Sequence, residues 1–331
     1  MQPLPLKVIG VGRYLPRRIV SNSEIEALCQ LPTGWVARNS GVMQRHWACD
    51  DESNSFMGAQ AAHEALQDAG LPPNAIDLII NASGSSEQAI PDTAPLIQRQ
   101  MGLGTSGIPS LTIHATCLSF VAARDTAASL IASGRYRNIL LVTSEIASAG
   151  FNPAQAESAS LLGDAAAAVV VTHTPEGEAS ALLSARIETY GDGAHLTQVA
   201  GGGTKRHPNR PDSQPVENLF HMEGRAVAHF ALRYSETFLE RLRPGLASQL
   251  GEIKLVVPHQ ASLLMIRSLT RYGWPAEQTA VTLDRLGNCI AASIPCTLYE
   301  VIRSGRIERG DQLLLVGTGA GLSLGGVILR Y

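Results

Sequence analysis

Apolar residues along the chain fall in short unbroken runs rather than in strict alternation. Asp77-Leu-Ile-Ile-Asn81, Ile139–Thr143, Ala165–Val171, Lys254-Leu-Val-Val-Pro258, Leu313–Val316 and Gly325–Leu329 are the clearest. Runs of this length without polar interruption suit strands covered on both faces, in a mostly parallel sheet. Between them, stretches such as Ser55–Ala69 and Gly224–Leu242 read as helices. Alternation of strands and helices predicts an α/β protein.

The pattern occurs twice. Ser133-Gly134-Arg135 precedes the run Ile139–Thr143, and Ser304-Gly305-Arg306 precedes Leu313–Val316. In each case a glycine stands where a helix ends, and a strand follows. Cys117 lies 16 residues before Ser133 and Asn288 lies 16 before Ser304. This register places both at the head of equivalent helices. Upstream, Asp77–Asn81 matches Lys254–Pro258. Repetition at half the chain length means duplication: residues 1–175 as one half, 176–331 as the other, joined near the turn-rich Thr172–Ser180. The polar stretch Gly201–Val216 is a binding loop or a solvated insertion.

Composition removes whole classes of function. The 331 residues carry a formal charge of −3, no basic block and 5% aromatics, so nothing suggests a nucleic-acid footprint. No apolar run approaches the ~18–20 residues of a membrane span. Met1–Arg18 lacks the layout of a secretory signal, so a cytosolic protein is expected. Five cysteines, Cys29, Cys49, Cys117, Cys289 and Cys296, show no paired spacing and read as free thiols. No His/Cys spacing suits zinc. Gly10-Val-Gly12-Arg-Tyr-Leu-Pro16 has a superficial likeness to a dinucleotide loop. It lacks the third glycine, and Pro16 sits where the helix should run on.

Three residues could carry chemistry. Cys117 sits where a short strand turns into a helix, and a thiol there meets the positive end of the helix dipole, which favours thiolate. The alternative is a buried structural cysteine. His259 follows the run Leu255–Pro258 at the carboxyl end of a strand, where α/β proteins place their sites; a packed histidine is the alternative. Asn288, in Gly287-Asn288, is otherwise a turn residue. The duplication argues for a common centre, a nucleophile with two neutral donors. His114 is expected to pack against the sheet, Asp164 to brace a turn beneath the site, and Cys289 and Cys296 to lie in the core. Pro295 suits a first helical turn.

Pro258-His-Gln-Ala261, Gly287-Asn288, Ala291-Ala-Ser-Ile-Pro295, Gly317-Thr-Gly-Ala-Gly321, Gly163-Asp164 and Ile9-Gly-Val-Gly-Arg-Tyr-Leu-Pro16 stand in an order and spacing that resembles the β-ketoacyl-acyl-carrier-protein synthase III family of the thiolase superfamily. The resemblance covers nearly the whole chain. It implies a five-layer α/β/α/β/α subunit in a homodimer, with a Cys117-His259-Asn288 site. Backbone N–H groups of Cys117 and Ala320 would form an oxyanion hole. The acyl group of an acyl-CoA or acyl-carrier-protein thioester would pass to Cys117 and condense with a decarboxylating malonyl-type thioester. No metal or redox cofactor is required.

The chain also departs from that family. Trp35 is present at the expected entrance, but Asn39 stands where an arginine is expected, with Arg38 one place earlier. Expected basic positions hold Leu264 and His229, with Arg225 and Arg271 as candidate stand-ins for carrier docking. The two aromatic gate positions hold Thr318 and Ile90. Trp35, Arg38, Ile90, Arg225 and Thr318 are the expected substrate contacts. A roomier pocket, and a specialised member in place of the housekeeping initiation enzyme, are the expectation. The alternatives are acyl transfer to an alcohol or amine without condensation, and a non-catalytic acyl-carrier-binding protein.

Overall fold

The computed structural model describes residues 2–248 and 252–331. The apolar runs form two sheets. The first holds β1 (Lys7–Tyr14), β2 (Leu78–Asn81), β3 (Ser110–Thr112), β4 (Asn138–Glu145) and β5 (Ala165–Thr172), in the order β1-β5-β4-β2-β3. The second holds β6 (Ala181–Thr189), β7 (Ile253–Pro258), β8 (Gln312–Gly319) and β9 (Ser323–Arg330), in the order β7-β8-β9-β6. With β6, β7, β8 and β9 set against β1, β2, β4 and β5, order and strand direction repeat. The place of β3 is taken by a single parallel bridge, Val256 to Thr279.

The sheets are mixed, not mostly parallel as the apolar runs suggest. β2–β3, β2–β4 and β7–β8 are parallel; β1–β5, β4–β5, β8–β9 and β6–β9 are antiparallel. An apolar run reports coverage of both faces and says nothing of direction. The link from β8 to β9 spans only residues 320–322, which permits a hairpin and forbids a parallel crossover.

Coverage comes from four principal helices, α1 (Asn54–Ala69), α2 (Ser119–Ala132), α3 (Gly224–Leu242) and α4 (Ser293–Arg303). Successive strand residues face opposite ways, and the cores divide accordingly. Ile79, Leu140 and Val170 meet Met57, Ala61 and Ala65 of α1. Leu314 and Ile328 meet Phe238, Leu239 and Leu242 of α3. The alternate residues, among them Leu78, Ile80, Leu141, Leu313, Leu315 and Val327, face inward onto Phe120 and Val121 of α2 and Ile294 and Leu298 of α4. The layers therefore run α/β/α/β/α, with α2 and α4 between the sheets. Gly10 and Gly12 lie within β1, where a Cβ would fall 2.2 and 2.1 Å from the Ala65 and Ala61 carbonyl oxygens of α1. They serve a close strand–helix contact, not a phosphate loop.

The polar stretch 201–216 forms turns whose charges pair locally: Arg206 with Asp212 and Glu217, and Arg210 with Asp212. It lines neither of the two cavities described below.

Candidate active site

The two central helices each begin with a tight turn, Thr116–Leu118 before α2 and Ile290–Ala292 before α4. Both turns open on a non-glycine residue of positive φ, Thr116 at 52° and Ile290 at 46°. Each is closed by a serine: Ser119 Oγ accepts from the Ala115 N–H at 2.9 Å, and Ser293 Oγ from the Cys289 N–H at 3.1 Å. This geometry corrects the register drawn from the sequence. Counting back from the terminal glycines pairs Cys117 with Asn288, but α2 has 14 residues and α4 has 11. Aligned at the helix starts, Cys117 matches Ala291, and Asn288 matches His114.

Cys117 is half-buried. Its own N–H and that of Ala320 both reach the sulfur and favour thiolate, yet burial, followed by the nearby Glu145, pushes the thiol up to about 12. Desolvation thus opposes the helix-start effect, against the dipole and two amides. The turn is anchored on the opposite sheet. Leu118 is fully buried against Gly317, Gly319 and Gly325, where a Cβ would fall 3.5, 3.2 and 2.9 Å from its side chain. Thr116 Oγ1 donates to the Ala320 carbonyl at 3.1 Å. The glycines of 317–325 form the seat for the residue after the nucleophile candidate.

His259 continues β7, with its N–H on the Val316 carbonyl at 2.8 Å. It is 5% exposed. Burial pushes its imidazole down to about 4, so the ring is neutral at physiological pH, and Nδ1 has no partner among the described residues. A Cβ on Gly317 would touch His259 Cβ at 2.6 Å, which places the histidine and Leu118 against the same glycine.

Asn288 is fixed by its backbone and its own turn. Its N–H donates to Leu161 O at 2.6 Å and its carbonyl accepts from Gly163 N at 3.1 Å. Two glycines permit this approach: a Cβ on Gly163 would lie 2.0 Å from Leu286 O, and one on Gly287 2.4 Å from Leu161 O. Asn288 Oδ1 accepts from the Ile290 N–H at 3.0 Å, which leaves Nδ2 as the donor it can present. Asp164 accepts from Ala48 N, Ser148 N and Ser148 Oγ and braces the strand-end beneath this junction. Cys289 and Cys296 are core thiols.

A cleft of about 540 Å³ lies beside this region, with Leu161, Ala261 and Thr318 on its wall and Cys117, His259 and Asn288 off it. Trp35, Asn39, Glu157, Arg225, Leu264 and Thr318 are among its walls. Of the expected contacts, Trp35, Arg225 and Thr318 are there. Arg38 is not: it folds back on the Thr33 carbonyl. Ile90 is 87% exposed and off the cleft. Asn39 spends its amide on the Trp35 carbonyl at 2.8 Å. His114 is exposed, not packed under the sheet, with Nε2 3.2 Å from Gly84 O, because β3 ends at Thr112, two residues before it.

Two acids escape the sequence reading. Glu157 reaches the cleft from the short helix Ala156–Ala159, with no mark in the sequence. Glu145 closes β4, fully buried, accepting from Gly84 N, Ser85 N and Ser85 Oγ; burial pushes it up to about 8. A charged residue at the carboxyl end of an apolar strand was the available signal.

Residues 111–191 match the family model described as 3-oxoacyl-[acyl-carrier-protein (ACP)] synthase III, and residues 247–331 match that of its C-terminal region. A β-ketoacyl-[acyl-carrier-protein] synthase III of Aquifex aeolicus (strain VF5) is 33% identical over 326 residues, covering 98% of this chain and 99% of the relative. The chain belongs to the 3-oxoacyl-[acyl-carrier-protein] synthase III family. It is thus an enzyme of the acyltransferase class on the thiolase fold. The crystal structure of the Pseudomonas aeruginosa PAO1 synthase III superposes with a TM-score of 0.86 at 30% identity, over 99% of this chain and 98% of that one. A crystal structure of a Xanthomonas campestris OleA variant, 19% identical, shares the synthase III fold with a TM-score of 0.87, covering all of both chains. Among the described residues no helix is long and apolar enough to cross a membrane.

Proposed function

We propose that the protein is a condensing enzyme in which Cys117 takes an acyl group from an acyl-CoA or acyl-carrier-protein thioester and passes it to a malonyl-type extender. The observation that carries this reading is Gly317, against which His259 and Leu118, the residue after the thiol, both close; two backbone N–H groups reach the thiol sulfur, the imidazole is neutral, and Asn288 keeps Nδ2 as a donor. Cys117 Sγ attacks the thioester carbonyl, and the N–H groups of Cys117 and Ala320 hold the oxyanion. With the thiol near 12 and the imidazole near 4, a thiolate–imidazolium pair is not the resting state. The thiol proton passes to the departing thiolate as its C–S bond breaks.

His259 and Asn288 Nδ2 then hold the extender carbonyl. The bond to its carboxylate breaks, CO2 leaves, and the electron pair forms an enolate stabilised by both donors. The enolate carbon attacks the acyl carbon; the C–Sγ bond breaks, and Cys117 departs as thiolate and takes a proton from solvent. Preorganised donors of this kind contribute about 3–4 kcal/mol each to such barriers. The mechanism calls for no resident cofactor.

Leu264, 71% exposed beside the cleft, with Asn39 turned onto its own helix, favours a specialised role over housekeeping initiation. The open edge of β3 with Leu111 exposed supports a homodimer. A cytoplasmic location fits such substrates.

The test is intact mass after incubation with acyl-CoAs and acyl-carrier proteins, with Cys117→Ala as control, followed by CO2 release on adding malonyl thioester. An acyl adduct on the parent alone, discharged with CO2, is expected. A labelled alanine variant, or an adduct that malonyl thioester never discharges, refutes the condensing mechanism.

A further inference from the structure

A second cavity, of about 60 Å³, lies beside His259 on the side of the C-terminal sheet. Its floor is apolar, made by Phe238 and Leu239 of α3 with Val316 and Leu324 of the sheet, and Tyr272 closes it. It shares Ala261, Met265 and Thr318 with the large cleft, which it adjoins. No wall residue comes from the first half of the chain. It is a space next to the imidazole, not next to the thiol.

Two orphaned polar atoms belong to its wall residues: His259 Nδ1 and the Tyr272 hydroxyl are buried without a partner among the described residues. Neither atom is reached by a water-sized probe, so the surface that the cavity presents is mainly apolar and suits an alkyl group. A water needs about 10–15 Å³ by this measure, so the cavity holds about four non-hydrogen atoms.

We infer that this cavity receives the α-substituent of the second thioester, making the enzyme selective for short 2-alkylmalonyl extenders over malonyl itself. This rests on the condensing mechanism proposed above. In that mechanism the extender carbonyl oxygen lies on His259 and Asn288, so its α-carbon is two bonds from the atom that the imidazole holds. An α-hydrogen leaves the cavity unused; an ethyl group lies along Phe238 and Leu324. The acyl chain on Cys117 starts from the other half of the site and meets none of these walls. The bonds broken and formed are unchanged: the C–CO2 bond breaks, the new C–C bond forms at the substituted carbon, and the product is a 2-alkyl-3-oxoacyl thioester with Cys117 released.

Each further buried methylene is worth roughly fourfold in binding, so ethylmalonyl is expected to exceed malonyl in kcat/KM by about tenfold. The experiment uses the full chain with Cys117 acylated, as verified by intact mass, and competes malonyl, methylmalonyl and ethylmalonyl thioesters of one carrier. Ser235→Met fills the cavity from α3 and Phe238→Leu widens it; circular dichroism checks that each folds. The ethyl-to-malonyl ratio should fall at least tenfold in Ser235→Met, and Phe238→Leu should admit a propyl substituent. Condensation with malonyl alone, or a ratio unmoved by both variants, overturns the inference and leaves the condensing mechanism standing. A change in acyl-donor scope with the extender ratio constant overturns it too, in favour of an acyl-chain pocket. Failure to acylate Cys117, or to consume any malonyl-type thioester, refutes the condensing mechanism itself and this inference with it.

Discussion

The turns Thr116–Leu118 and Ile290–Ala292 are one construction used twice. Each starts on a positive-φ residue, is closed by a serine, and feeds a central helix. Yet at the second position the first turn offers a thiol and the other a buried methyl group, Ala291. The second half places its polar group three residues earlier, at Asn288, held by the 161–163 segment. Duplication supplied a frame with two equivalent seats. The candidate residues Cys117 and Asn288 therefore do not sit at symmetric positions even though the backbone does.

Several experiments break or sharpen that comparison. The largest effect belongs to Cys117→Ala, which should lose the acyl adduct and lower turnover by about 10⁴-fold or more, measured by intact mass and CO2 release. His259→Ala and Asn288→Ala should each reduce condensation by about 10²–10³-fold and still acylate Cys117. Single-turnover acylation followed by a malonyl chase separates the two steps, and loss of acylation in either variant would contradict the division of labour. Gly287→Ala tests the seat of Asn288. Its φ of 70° with ψ of −161° is a region open essentially to glycine, and the new Cβ would lie 2.4 Å from Leu161 O. A loss of about 2–4 kcal/mol, read by denaturant titration, is expected.

Glu145 gives a pH signature. Its folded pKa, about 8, lies above its ordinary 4.5, so the folded state holds the proton more tightly and stability falls as pH rises from 4.5 to 8. His259 acts oppositely and lower down. Its pKa falls from 6.5 to about 4, so stability is lost as pH drops through that window. In Glu145→Gln the decline in melting temperature between pH 6.5 and 8 should flatten relative to the parent; an unchanged slope would mean that Glu145 is ionised throughout. The smallest effect is expected of Ala291→Cys in a Cys117→Ala background. The equivalent seat is buried and should give no adduct by mass; acylation of the introduced thiol would show the two seats to be chemically interchangeable.

The apolar runs Ile79–Ile80, Leu140–Leu141 and Leu313–Leu315, the helices between them and the terminal glycines Gly134 and Gly305 were legible because they rest on local rules: coverage of both strand faces, helical periodicity and positive φ after a helix. Gly134 and Gly305 indeed take φ of 71° and 66°. The motif glycines at 163, 287 and 317–321 were legible as a likeness. Their reason, seating Leu118 and Asn288 against a neighbouring backbone, was not. Strand direction was read wrongly because burial does not encode it.

By itself, then, the sequence determined an α/β chain folded twice, with Cys117 and Asn288 ahead of helices and His259 at the end of an apolar strand. Only the tertiary structure decided the rest. The three-residue difference between α2 and α4 shifted the symmetry, because register is set at the helix start and not at its end. Glu145 came near the thiol, because its contacts with Gly84 and Ser85 join segments far apart in the chain. The protonation of Cys117, His259 and Glu145 was decided there as well, since desolvation depends on what is packed around a group and not on its neighbours in sequence.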